Sequence, residues 1–209
     1  LKTSGMVFVK GYSLNSYKVA FNRMGSAIFN TIRIPLIALV LVVLFATFIS
    51  YLAVRKRNLF TNLIDSLSMV PYIVTGTAFI LIMSLSVRRL PYTIRSSVAS
   101  LQQIAPSIEE AAESLGSSRL NTFAKITTPM MLSGIISGAI LSWVTMISEL
   151  STSILLYNVK TRTMTVAIYT EVLRGNYGVA AALSTILTVL TVGSLLLFMK
   201  ISKSNSITL

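Results

Sequence analysis

Side chains able to do chemistry are scarce in this sequence. Among its 209 residues are 6 acidic residues, no histidine and 0 cysteines. The chain therefore offers no thiol, disulfide or imidazole metal chemistry, and so few carboxylates leave little for acid–base catalysis. The phosphate-binding pattern G-x-x-x-x-G-K-S/T is also missing, so we expect no P-loop ATP site. These features disfavour an enzyme and direct attention to the charged residues as recognition sites.

Two adjacent acidic residues, Glu109 and Glu110, lie in the longest polar interval, residues 107–129. Ser107 is a natural N-cap, and Glu110 three residues later completes a capping box. Both carboxylates also place negative charge at the positive end of the helix dipole. Gly116 predicts the end of this short helix. One helix face is predicted to be apolar and small, formed by Ile108, Ala111, Ala112 and Leu115.

The spacing in this interval resembles the EAA loop of ABC-transporter permease subunits. Glu110-Ala111-Ala112 is followed by Gly116 and then by Ile126 and Pro129, although Thr128 stands where leucine is common. The resemblance implies an all-α, polytopic transmembrane helical bundle. This would be the type I (MetI-like) importer permease core, with about five spans of some 20 residues each. It also implies a cytoplasmic coupling helix that docks into a groove of an ATP-hydrolysing subunit. The residues expected to carry ATPase coupling are Glu109, Glu110, Ala111, Ala112, Leu115, Gly116, Ile126 and Pro129.

A second polar group, Glu149 with Ser151 and Thr152, follows an apolar stretch. An acidic residue near the membrane is costly unless it is paired or wetted. One interpretation places these three residues on the substrate path. The alternative, which we favour slightly, is that Glu149 lies at the interface and pairs with a nearby basic residue.

The composition indicates that membrane-spanning helices position these residues. Hydrophobic residues make up 54% of the chain, charged residues only 11%, and the mean hydropathy is +0.77. These values are typical of a multi-pass membrane protein. The sequence predicts an outer amphipathic segment, residues 1–33, and a transmembrane permease domain, residues 34–209. Within that domain the predicted spans are residues 34–54, 63–87, 130–147 and 179–198.

Basic residues set the predicted topology. The net charge of +12 is carried by clusters that flank apolar runs, as the positive-inside rule expects, so no nucleic-acid partner is implied. Residues 63–87 lie between two basic clusters that should both be cytoplasmic. The resemblance therefore predicts two spans there, with a loop of roughly 20–25 residues missing between Val74 and Thr75. Val87 is predicted to precede a cytoplasmic exit.

Two glycines in the span 130–147 are spaced for close helix packing. Gly134 and Gly138 form a small-x-x-x-small pattern, which lets two helix backbones approach. Pro129 is predicted to start this span and to link it rigidly to the coupling segment.

The resemblance also implies partners and a location. We expect a bacterial cytoplasmic (inner) membrane protein that contacts lipid, ABC ATP-binding subunits, an external solute-binding protein and a second permease half, fused or separate. ATP is bound by the partner, and no cofactor is expected in this chain. Because the sequence begins at Leu1, we also expect it to be part of a longer polypeptide.

The run RRLPY, then RSS and LQQI, before EEAA resembles ferric-iron permeases, so ferric iron is the predicted substrate. An aminophosphonate, thiamine or a polyamine is the alternative within the class. A passive channel or a secondary carrier is the alternative outside it. Secondary carriers usually place ionisable residues within spans. The spans predicted here have none apart from Asp65 and Glu149, which lie near span ends, and this disfavours a carrier.

Overall fold

The computed structural model describes residues 2–4, 7–9, 13–55 and 78–205, with side chains for residues 13–55 and 78–200. A two-stranded antiparallel hairpin, β1 (Lys2–Ser4) and β2 (Val7–Val9), comes first. The helices that follow are α1 (Asn15–Arg55), α2 (Ala78–Leu101), α3 (Pro106–Ser114), α4 (Arg119–Thr122), a π-helical segment (Phe123–Thr127), α5 (Thr128–Met130), α6 (Leu132–Ile147), α7 (Ser151–Leu156), α8 (Met164–Leu173) and α9 (Tyr177–Asn205).

Two described helices are long and apolar enough to cross a membrane, Asn15–Arg55 and Tyr177–Lys200. A third span results if the two helical stretches Arg119–Met130 and Leu132–Ile147, bent by 69°, count as one. The predicted spans 34–54 and 179–198 lie within the first two helices. The expected count of about five spans stays a prediction, because residues 56–77, with the proposed loop at Val74, lie outside the described residues.

Helix α1 differs from the predicted division at residue 34. It extends from Asn15, through Pro35, to Arg55, and is kinked at Met24, where the backbone departs from helical geometry (φ −121°). Residues 15–33 of the predicted outer segment are therefore in the same kinked helix as the predicted first span. The buried alanines Ala20 and Ala27 show why the helix extends so far, because the stretch before residue 34 has an apolar face of its own.

Helix α2 also passes a predicted boundary. We expected a cytoplasmic exit after Val87, but α2 continues through Arg88, Arg89 and Pro91 to Leu101. The cytoplasmic exit itself stays a prediction. The helix continues past it because arginine has a high helix propensity and charge alone does not end a helix.

The chain divides into two compact units, and the first comprises the described parts of residues 1–38, 71–85 and 144–197. Its core joins α1, α8 and α9 through small and flexible side chains: Ala20, Met24, Ala27, Met164, Ala167, Ala182 and Leu183. Thr31 Oγ1 accepts a hydrogen bond of 2.7 Å from the backbone amide of Met164 at the start of α8. The predicted helix over residues 164–173 is confirmed as α8.

The second unit comprises the described parts of residues 39–70, 86–143 and 198–209. Its core contains Leu101, Ile104, Met131 and Ile135. The close approach predicted from Gly134 and Gly138 is present. A Cβ atom at Gly134 would lie 2.5 Å from Ser100 Cβ, and one at Gly138 would lie 2.6 Å from Thr93 Cα. Ser96 Oγ also donates a hydrogen bond of 2.7 Å to the Gly134 carbonyl, so a side chain of α2 contacts the backbone of α6 directly.

Candidate functional site

The predicted coupling helix is α3, but it begins earlier than expected. The N-cap is Ala105, with Pro106 in the first turn, and no side chain of the N-cap bonds the helix start. The predicted capping box of Ser107 and Glu110 is therefore wrong. Proline is favoured at the first helical position, where a missing amide costs nothing, and this moves the start ahead of Ser107.

The predicted stop at Gly116 is confirmed. Gly116 has φ +90°, and its amide donates to the Glu113 carbonyl at 2.9 Å. The next amide, of Ser117, donates to the Ala112 carbonyl at 3.0 Å. These two bonds form a Schellman motif, in which glycine takes the left-handed position at low cost.

The two adjacent glutamates have different environments. Glu109 is only 8% exposed, and its Oε2 accepts a bond of 2.9 Å from Arg55 Nε at the end of α1. Its Oε1 accepts a bond of 2.9 Å from Thr127 Oγ1 in the π-helical segment. Glu110, by contrast, is exposed. One carboxylate thus joins three elements of the second unit, while its neighbour faces outward.

The predicted apolar face of α3 divides in the same way. Ala112 is buried against the chain, whereas Ala111 is exposed. Ile108 is 36% exposed and Leu115 is 90% exposed. The expectation that both alanines face one partner is therefore wrong, because Ala112 shares the inward side with Glu109. The outward stripe consists of Ile108, Ala111 and Leu115, at positions i, i+3 and i+7.

The remaining coupling residues lie in the stretch between α3 and α6. Ile126 is half-buried in the π-helical segment, and Pro129 is exposed within α5. Pro129 does not start the long helix, since α6 begins at Leu132 after the 69° bend. The predicted rigid link is therefore a bent one. Phe123 holds this stretch to α1 by packing its ring on Tyr51, with ring centroids 4.4 Å apart.

An open cavity of about 400 Å³ lies beside α3 in the second unit. Glu113 and Arg119 form a solvated ion pair at its edge, with 3.4 Å between Oε1 and Nε. Apolar and aromatic side chains supply most of the rest of the wall: Phe48, Tyr51, Leu52, Leu120 and Phe123, together with Arg55 and Glu109.

Glu149, Ser151 and Thr152 come together at the start of α7. Glu149 is 9% exposed, and its Oε1 accepts bonds from the Thr152 amide at 3.2 Å and the Thr152 hydroxyl at 3.5 Å. Its backbone carbonyl accepts from Thr165 Oγ1 at 2.9 Å. Ser151 is exposed. In these contacts Glu149 organises a local turn, and a place on the substrate path stays a prediction.

Sequence reasoning missed the partners of Glu109. Arg55 was interpreted only as part of a topological cluster, and Thr127 was not singled out. The sequence signal was the arginine that ends the predicted first span, since a buried carboxylate needs a basic partner. Among the residues that the structure describes, no three of the side chains Asp, Glu, His and Cys cluster as metal ligands.

Comparison with known proteins defines the class. The family described as "Binding-protein-dependent transport system inner membrane component" matches residues 23–202, and the chain belongs to this family. The resemblance to EAA-loop permeases and the all-α permease fold are confirmed.

Several similar proteins are named after the solute that they transport. The chain is 30% identical over 211 residues to the ferric transport system permease protein FbpB of Actinobacillus pleuropneumoniae, covering 89% of this chain and 31% of that protein. It is 29% identical over 151 residues to a Salmonella paratyphi A protein named as a 2-aminoethylphosphonate transport system permease, PhnV, covering 72% and 56%. The chain thus spans less than two thirds of the length of these relatives. They are named as permeases, which are not enzymes.

A solved structure shows the same fold. It is described as a bacterial ABC transporter involved in the import of the acidic polysaccharide alginate. The TM-score is 0.71 at 16% identity, and the match covers 96% of this chain and 87% of that one. At this identity the similarity supports the fold alone.

Proposed function

We propose that this chain is the permease part of an ATP-driven importer and that α3 is its docking helix for the ATP-hydrolysing subunit. The observation that carries the proposal is the division of α3 into two sides. Glu109 and Ala112 fix the helix to its own chain, while Ile108, Ala111 and Leu115 present an apolar stripe outward. An apolar stripe at this spacing is how a helix enters a groove of a partner.

The contacts of α3 give a route for motion. Force applied to α3 passes through the Glu109–Arg55 ion pair to the end of α1. It passes through Thr127, and through the Tyr51–Phe123 ring contact, to the stretch that precedes α6. Such coupling requires the partner to hold α3 differently in its two nucleotide states, since a ligand shifts an equilibrium only by its differential affinity.

The partners and location proposed for the whole transporter follow from the family. They are ABC ATP-binding subunits that bind and hydrolyse ATP, an external solute-binding protein, a second permease half, and the lipid of a bacterial inner membrane. The family description, with its binding protein and inner membrane, supports these assignments. So does the presence of at least two helices suited to crossing a membrane.

Ferric iron is the proposed substrate. Support comes from the FbpB relatives of Actinobacillus pleuropneumoniae and Haemophilus influenzae, both named as ferric transport permeases. Uptake of radioactive ferric iron by cells that carry the complete transporter tests this assignment. Competition by unlabelled ferric iron, but not by 2-aminoethylphosphonate, is expected. Absence of transporter-dependent ferric iron uptake, together with uptake of labelled 2-aminoethylphosphonate by the same cells, would assign the transporter to the phosphonate class.

The docking assignment is tested by co-purifying the ATP-hydrolysing subunit with the intact permease. We expect Ala111→Trp and Glu110→Lys to lose that subunit, because both substitutions change the outward side of α3. Ala181→Trp is the matched control, an exposed alanine on α9. Retention of the subunit by both α3 variants, in mild detergent with nucleotide present, refutes the docking surface. Ala112→Trp is not a suitable probe, because Ala112 is buried within the chain.

A further inference from the structure

A second organised polar site lies in the first unit, where α8 turns into α9. Gly175 has φ +76°, and its amide donates to the Val172 carbonyl at 3.0 Å. The Asn176 amide donates to the Glu171 carbonyl at 2.9 Å. This second Schellman motif fixes the positions of Arg174 and Asn176 on either side of the glycine.

A buried carboxylate orients the side chains of this turn. The side chain of Glu171 is only 5% exposed, and its Oε1 lies 3.1 Å from Arg174 Nη1 and 3.8 Å from Arg162 Nη2. Its Oε2 accepts a bond of 2.8 Å from Asn176 Nδ2. Arg162 also donates to Thr170 Oγ1 at 2.6 Å. The guanidinium groups are thus preorganised, and the single carboxylate offsets only part of their charge.

Three of these side chains, Glu171, Arg174 and Asn176, line a cavity of about 260 Å³ beside the kink of α1. Its walls are Val19, Arg23, Met24, Glu171, Arg174, Asn176 and Val179. Arg23 brings a further positive charge, and no carboxylate of the described residues forms an ion pair with it. Arg23 and Arg174 line the cavity with the single carboxylate of Glu171, and Arg162 contacts that carboxylate without lining the cavity. Together the three arginines exceed the one glutamate by two positive charges, which favours an anionic ligand.

The surroundings of the cavity indicate where the anion comes from. Leu173, next to Arg174, is 68% exposed, and Tyr177, next to Asn176, is 37% exposed. Tyr177 begins a helix that is long and apolar enough to cross a membrane, so the cavity lies next to the start of that helix. Tyrosine at the start of a span is typical of the membrane–water interface, and an exposed leucine beside it suits acyl chains.

We propose that this cavity binds the phosphate of an anionic phospholipid, held by Arg23 and Arg174, with Leu173 and Tyr177 contacting its acyl chains. An acidic side chain of a partner protein would also suit the charge. The apolar rim at the start of a span favours lipid. The site shares no residue with the docking surface on α3, and the proposal does not depend on which solute is transported.

The test measures phospholipid retention by the full-length permease complex. The complex is reconstituted in nanodiscs of phosphatidylcholine with a minor fraction of phosphatidylglycerol, and retained lipid is counted by native mass spectrometry. Arg23→Gln is expected to reduce retained phosphatidylglycerol about fivefold, the effect of one basic residue near a membrane surface. Arg23→Lys should retain most of the bound phosphatidylglycerol, because the positive charge is kept. Lys18→Gln is the control, an exposed cation on the same helix that does not line the cavity.

Each outcome has one meaning. Unchanged retention in both Arg23→Gln and Arg174→Gln overturns the site. Displacement of the lipid by millimolar inorganic phosphate, with phosphate retained in its place, overturns lipid as the source of the anion. If retention is unchanged but Arg23→Gln weakens binding of an acidic soluble partner, the surface is a protein interface instead. The ATP-hydrolysing subunit counted in the same spectra reports separately on the proposed function.

Discussion

Replacing Glu109 by glutamine should destabilise the permease far more than the same change at Glu110. In Glu109→Gln the Arg55 guanidinium loses the carboxylate 2.9 Å from its Nε. Removing one partner of a fully buried ion pair costs about 3–5 kcal/mol. The Arg55 side chain retains 23% exposure, so water recovers part of that loss. We therefore expect Glu109→Gln to lower the free energy of unfolding by about 2 kcal/mol, which corresponds to a fall of about 4–8 °C in the unfolding midpoint.

Glu110→Gln is the matched control, because it is the same change one residue away on an exposed side chain. An exposed substitution of this kind should alter stability by no more than about 0.5 kcal/mol. Under the proposed function it should instead weaken retention of the ATP-hydrolysing subunit. The two variants thus separate support of α3 from docking by α3.

The assay is thermal unfolding of the full-length permease in detergent, followed by circular dichroism. A double-mutant cycle with Arg55→Gln adds a second measure. Once one partner is gone, removing the other should cost little more, so the two losses should not add. Equal midpoints for Glu109→Gln and Glu110→Gln, or fully additive losses in the cycle, would refute the assignment of Glu109 as the anchor of α3.

Two further predictions concern packing and buried hydrogen bonds. Gly138→Ala should lower the free energy of unfolding by about 1–3 kcal/mol, because the added Cβ would lie 2.6 Å from Thr93 Cα. Gly193→Ala is the control and should be neutral or stabilising, since nothing lies within 4 Å of its added Cβ. Equal unfolding midpoints for the two variants would contradict the close approach at Gly138. Thr31→Val should lower the free energy of unfolding by about 1–3 kcal/mol, because the buried Met164 amide loses the hydroxyl that accepts its hydrogen bond at 2.7 Å. Hydrogen exchange of the Met164 amide should become faster, and an unchanged exchange rate would contradict this role of Thr31.

Local patterns predicted the elements that depend on nearby residues. The stop at Gly116 and the close packing at Gly134 depend on glycine itself, which alone combines freedom at positive φ with the absence of a side chain. The helix over residues 164–173 was likewise visible from the sequence. These features follow from chemistry within one turn or along one helix face.

Features that depend on distant residues were not predictable in the same way. Arg55 and Glu109 are 54 positions apart, so only the tertiary fold brings them together. Once it does, the ion pair decides which side of α3 is buried, and Ala112 turns inward with Glu109. The error at Ser107 was local and avoidable, because the proline before it already marks the first turn of the helix.

The divergence of Glu109 and Glu110 has a consequence for the four residues, 102–105, that connect α2 to α3. One residue more or fewer before Glu109 turns the helix by about 100° relative to Arg55. A deletion brings Glu110 to the arginine and preserves a carboxylate there, whereas an insertion brings the apolar Ile108 to a buried cation. Either change displaces the outward stripe. Across related sequences, length in this connection should therefore be fixed, and the rare exceptions should be shorter rather than longer.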